Sequence, residues 1–166
     1  MKEFGKLIEK GKRIKKSELP NIPDSELEAV VMGWLWGKCN KDRSNEYEII
    51  SSLPKPCQNV YSCRYVTDKN TNDEFIKVFF EPFAAMSIEG FAALGSQKLR
   101  DIMKKAVNLF EEHNPDLDSD DFDTLDRFIN AYGDTAEGDF ADAFESELDN
   151  VDYVKYIKTH LSCFGD

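Results

Sequence analysis

Basic residues all but vanish from the last third of this 166-residue chain. From Glu111 to Asp152 there are sixteen Asp and Glu residues and one cation, Arg127. Nucleic-acid binders need cations to replace the counterions of the phosphates. That stretch is therefore no nucleic-acid-binding surface, and direct nucleic-acid binding is not expected. Other absences are equally useful. No apolar run approaches the roughly 18 residues of a membrane span. No apolar core of 7–15 residues follows the basic start, so a secretory signal is not expected. The four cysteines, Cys39, Cys57, Cys63 and Cys163, show no CxxC or other metal spacing. Four reduced thiols in the cytoplasm are the expectation, with a Cys57–Cys63 pair as the disfavoured alternative. Six Pro and nine Gly are too few for a long linker. No fixed-period repeat occurs, which disfavours a solenoid.

The chain does have charge, sorted along its length. Its formal net charge is -11. Between Lys2 and Lys16 the balance reverses, with seven Lys or Arg against Glu3 and Glu9. A folded domain that gathers like charge repels itself. Apolar content of 41% with 12% aromatic is globular, so disorder does not account for the acidity. The segregation points to a basic partner. A solvated surface on an acidic protein is the alternative reading.

Helical spacing runs almost throughout. Phe4, Leu7, Ile8 and Gly11 share one face of a short basic helix. Residues 1–23 are expected as a basic segment and connector, and 24–166 as one helical domain. Ser25 and Glu28 fit a capping box, with Asp24 as a competing N-cap. Leu27, Val30, Val31, Trp34 and Leu35 then form a core-facing stripe. Glu46 to Ser52 is a short helix, and Pro56 suits the first turn of the next. Cys57, Tyr61 and Tyr65 favour helix there by spacing, and a strand is the competing reading. Asp68 to Asn72 has turn composition. Pro82 divides an aromatic-rich region, Gly95 is a C-cap candidate and Ser96 an N-cap. Gln97 to His113 carries the stripe Leu99, Ile102, Met103, Ala106, Val107, Leu109 and Phe110, with Lys98, Arg100, Lys104 and Lys105 outside it. Ser119 caps a helix with Phe122, Leu125 and Phe128 inward. Phe140, Phe144 and Leu148 make the next apolar face, opposite a column of Asp142, Glu145 and Asp149. Val151, Val154, Ile157 and Leu161 define the last helix. The fold class expected is all-α, a single-domain bundle of seven to nine helices.

Few residues suit catalysis. Asp116 to Asp120 opens like a calcium loop. Asp121 then stands where a glycine must turn the chain, and Arg127 where a bidentate Glu is needed. His113 and His160 form no HxxxH or HExxH pattern. GxSxG, P-loop and GxGxxG signatures are absent. Acid–base work needs one carboxylate in an apolar pocket, whereas these acids follow polar-face spacing. No catalytic residue, metal site or cofactor is expected.

Several stretches carry a resemblance. They are Asn72-Asp73-Glu74-Phe75-Ile76-Lys77-Val78-Phe79, Gly90 to Ser96, Ala106 to Phe110, Asp139 to Phe144 and Tyr156 to His160. Together they resemble a family of small acidic helical bacterial proteins that includes a DNA mimic, over roughly residues 50–164. Asp73-Glu74, Lys77 and Val78 depart from the family's Gly-Gly, Gln and Phe. The resemblance implies an all-helical fold and a protein that takes the place of DNA in a basic cleft. Mimicry would use Asp116, Asp118, Asp120, Asp121, Asp123 and Asp126 in the first acidic stretch. In the second it would use Asp139, Asp142, Glu145, Glu147 and Asp149.

The expected function is thus a non-enzymatic acidic protein-binding module whose partner is a basic protein such as a DNA-binding regulator. Two other classes stay open: a neutraliser of another basic protein such as a toxin, and an enzyme with a carboxylate pocket. A homodimer would use Trp36 or the Phe75–Phe91 aromatics as an exposed patch. No membrane contact is expected.

Overall fold

Gly11 and Gly33 bring two helices into backbone contact. A Cβ on Gly11 would overlap the carbonyl oxygen of Val30, and one on Gly33 would overlap that of Ile8. Only glycine leaves room for such an approach. The helices are α1 (Lys2–Gly11) and α2 (Asp24–Lys38). In the computed structural model of the chain, residues 2–70, 82–113 and 138–165 are described. Among them are eight α-helices and no strand, so the fold is all-α as expected.

The chain forms two compact units. The first comprises Met1–Tyr61 and Asp152–Asp166, the second Ser62–Val151. In the first, the stripe on α2 is core: Leu27, Val30, Val31, Trp34 and Leu35 are all buried. Each side chain of this size stabilises the fold by about 1.5–3 kcal/mol when fully buried. Ile8 and Ile14 are buried, while Phe4 is half exposed. Trp34 meets Phe164 edge-on, ring centroids 6.3 Å apart. The expected capping box is not how α2 begins. The helix starts at Asp24, with Pro23 at the N-cap and no side-chain cap. Pro23 ends the connector in extended backbone (ψ 145°), so Ser25 falls one residue inside the helix, past the capping position.

Short α3 (Glu46–Ser52) buries Ile50 and leads through Pro54 into α4 (Lys55–Asn70). The Gln58 amide donates to the carbonyls of Ser51 and Leu53 at 2.9 and 2.8 Å and closes that turn. The last helix, α8 (Tyr153–Thr159), is capped by Asp152, whose Oδ1 accepts from the Lys155 N–H at 2.8 Å. Ile157 and Tyr153 are its buried residues. Lys158 bonds both carboxylate oxygens of Asp24 at 2.8 and 3.0 Å.

In the second unit α4 runs on through Asp68 to Asn70, where composition predicts a turn. Buried Val66 and Thr67 hold it helical. The Thr67 hydroxyl donates to the Cys63 carbonyl at 2.7 Å, and Arg64 pairs with Asp68 at 2.7 Å one turn on. The next helix, α5 (Pro82–Ala93), starts at its proline. It ends as the sequence indicates: Gly95 is left-handed (φ 89°), its N–H bonds Ala92 and the Ser96 N–H bonds Phe91. The Ser96 hydroxyl accepts from Leu99 N–H at 3.4 Å and opens α6 (Gln97–His113). Leu99, Met103, Ala106 and Val107 are buried and Ile102 is partly so. Finally, α7 (Gly138–Glu147) packs on α6.

Candidate partner-binding surface

The second acidic stretch is positioned by one aromatic. Phe144 is fully buried and stands edge-on to Phe91 of α5, centroids 5.6 Å apart. Burying Phe144 turns Asp142 and Glu145 outward, and both are exposed. The α-helix stops at Glu147, and Leu148–Asn150 tightens into a 3-10 turn. Asp149 therefore leaves the straight column that the spacing predicts, and it too is exposed. Among the described residues, none of Asp142, Glu145 and Asp149 has an ion-pair partner.

Glu147 is engaged by its own unit. Its carboxylate accepts from Lys98 Nζ at 2.6 Å and from the Asn150 amide at 3.0 Å. The Lys98 hydrogen bond, ahead of the Asn150 bond, holds this carboxyl below the usual range. Glu147 thus links α7 to α6, while Lys104 and Lys105 of α6 stand exposed. Asp139 lies in the first turn of α7, where only the backbone is described. Asp116, Asp118, Asp120, Asp121, Asp123 and Asp126 lie outside the described residues, as do the expected Ser119 cap and Phe75 to Phe79.

Polar groups elsewhere have structural employment. His160 caps the end of α8, with Nδ1 2.9 Å from the Tyr156 carbonyl and its ring against Tyr156 at 4.4 Å. A carbonyl only accepts, so Nδ1 carries the proton. Trp36 lies under the Arg43 guanidinium at 4.9 Å, inside its own chain. Arg43 also pairs with Glu46 at 3.6 Å, and Glu46 accepts from the buried Tyr61 hydroxyl. Burial and then Glu46 push the Tyr61 phenol far up. The sequence carried no signal for this cluster, because Glu46 and Tyr61 are 15 residues apart on different helices.

No Asp or Glu is buried among the described residues. An open polar groove of about 480 Å³ is lined by Asp24, Asp152, Val154, Lys155, Lys158 and Thr159. Its Asp24 is paired with Lys158 and its Asp152 caps α8. Among the described residues no three His, Cys, Asp or Glu gather as a metal site. No described helix is long and apolar enough to cross a membrane.

Residues 51–160 match a family model described as DMP19-like protein. The match contains all eleven carboxylates named above. No curated protein and no solved structure matches the chain.

Proposed function

The chain belongs to the DMP19-like protein family, the DNA mimic protein 19-like proteins, and on that premise we propose that it is a non-enzymatic acidic protein-binding module. Its target is the basic cleft of a DNA-binding regulator. The observation that carries this reading is the exposed, unpaired set of Asp142, Glu145 and Asp149 on a helix anchored by Phe144. Duplex DNA presents one negative charge per roughly 1.7 Å of axis, and its binders are shaped and charged to receive it. Carboxylates on a stiff helix can enter the same cleft at little ordering cost. The remaining acids from Asp116 to Asp126 extend the negative charge in sequence. Glu147 is held by Lys98 of its own unit.

Two properties follow from electrostatics. Association is fast at low salt and weakens as salt screens it. By about 0.5 M salt the Debye length is only a few Å, and a partner held by exposed charge is released. The test is retention of partner on immobilised chain across a salt series, for the native sequence and for Asp142→Lys with Glu145→Lys. Release below about 0.5 M salt, and weaker low-salt retention by the double variant, support the reading. Equal retention by the two proteins at low salt removes the acidic helix as the contact.

A further inference from the structure

The Cys57 thiol lies 3.1 Å from the backbone carbonyl oxygen of Cys163, 106 residues away in sequence. All four cysteines are free. Cys57 sits in the first turn of α4 and is fully buried. Cys163 ends the 3-10 turn Leu161–Cys163 and is partly exposed. A cysteine's sulfur lies about 3–5 Å from its own carbonyl oxygen, depending on χ1. The two sulfurs are thus within about 8 Å, which side-chain rotation and a small shift of the turn can close to bonding geometry.

We propose that Cys57 and Cys163 are a redox-modified pair, joined by peroxide into a disulfide that closes the chain around the whole second unit. The chain leaves the first unit after Tyr61 and returns to it at Asp152. Both cysteines belong to the first unit and flank that excursion.

The tail is held so that the pair persists. Phe164 is fully buried edge-on to Trp34. Gly165 takes φ 78°, and a Cβ there would overlap the Lys16 backbone. The Asn59 amide donates to the Tyr156 hydroxyl at 2.8 Å and ties α4 to α8, the helix that leads into the turn holding Cys163. The other two thiols are placed differently. Cys39 faces the Leu35 carbonyl at 3.7 Å, and fully buried Cys63 faces the Ser87 carbonyl at 3.8 Å in the second unit.

The two sulfurs have separate roles. Burial, and then the neighbouring Cys163, push the Cys57 thiol up to about 12, while Lys38 draws it down. Cys57 is therefore a poor first nucleophile, and the partly exposed Cys163 reacts first. Its thiolate attacks hydrogen peroxide; the S–O bond forms, the O–O bond breaks and one water leaves. Cys57 then gives up its proton, its sulfur attacks the Cys163 sulfenic sulfur, and the S–OH bond breaks to release a second water. Two thiols and one peroxide become one disulfide and two waters.

The test treats the full chain with hydrogen peroxide and maps its peptides without reduction. The expected result is loss of two of the four thiols, one linked peptide joining Cys57 to Cys163, and reversal by dithiothreitol. The thermal midpoint rises by on the order of 10 °C, since the ring encloses about a hundred residues. Cys163→Ser abolishes the link. Cys57→Ser leaves a Cys163 sulfenic acid that dimedone traps. If Cys57→Ser does not fold, Cys163→Ser carries the test, because that side chain is partly exposed. A linked peptide through Cys39 or Cys63, a link only between chains, or sulfinic Cys163 beside unreacted Cys57 overturns the proposal.

Discussion

Phe144 and Phe91 stand edge-on, planes 79° apart, and this contact fixes which side of α7 meets solvent. Both rings are fully buried. The acidic surface is therefore a consequence of aromatic packing, since the same contact that buries Phe144 aims Asp142 and Glu145 outward.

Phe144→Ala is predicted to lower the unfolding free energy by about 3–5 kcal/mol. It also loosens α7. Urea unfolding gives the first quantity, and amide exchange across Gly138–Glu147 gives the second. Unchanged exchange there would mean that the helix is held by something other than Phe144.

Two glycines of the first unit should respond oppositely to alanine. Gly33→Ala drives a methyl into the Ile8 backbone, which no side-chain rotation relieves. The predicted cost is at the upper end of about 1–3 kcal/mol. Gly5→Ala meets nothing within 4 Å and sits mid-helix in α1, so a gain of about 0.5–1 kcal/mol is expected. Matched denaturant midpoints for the two variants measure the contrast.

Acid should dissolve the Lys98–Glu147 link. The folded carboxyl titrates below its ordinary value because Lys98 bonds the ionised form. Its contribution is complete above the ordinary carboxylate range and is lost as pH falls through the lowered folded value. Lys98→Ala removes it, so native and variant stabilities should converge towards acid pH and separate near neutrality. A constant gap across pH 2–7 would assign the loss to packing of the lysine stem instead.

Much of the helical core was legible because its signal is local. The stripe from Leu27 to Leu35 needed only periodicity. The Gly95–Ser96 junction needed only the chemistry of caps. The extension of α4 through Asp68 was not legible, because burial of Val66 and Thr67 overrides turn composition. The pairing of Lys98 with Glu147 spans 49 residues and exists only once α6 and α7 are packed. Spacing along one helix put Asp149 in the acidic column, and the resemblance to a DNA mimic added Glu147 to the working anions. Neither could show that Glu147 is claimed by a cation of its own unit, or that the helix ends before Asp149. Gly11, with Gly33 and Gly37 one turn apart on α2, was the available hint of close helix contact, since small residues permit backbones to approach.

Direct competition with duplex DNA is the sharpest test of mimicry. Partner captured at low salt on the immobilised full chain is challenged with duplex DNA, and separately with an uncharged polymer at equal mass. Duplex DNA is predicted to displace the partner, the uncharged polymer is not, and Asp142→Lys with Glu145→Lys should capture little to begin with. A partner that stays bound under saturating duplex would contradict DNA mimicry and leave an acidic binder of some other basic protein.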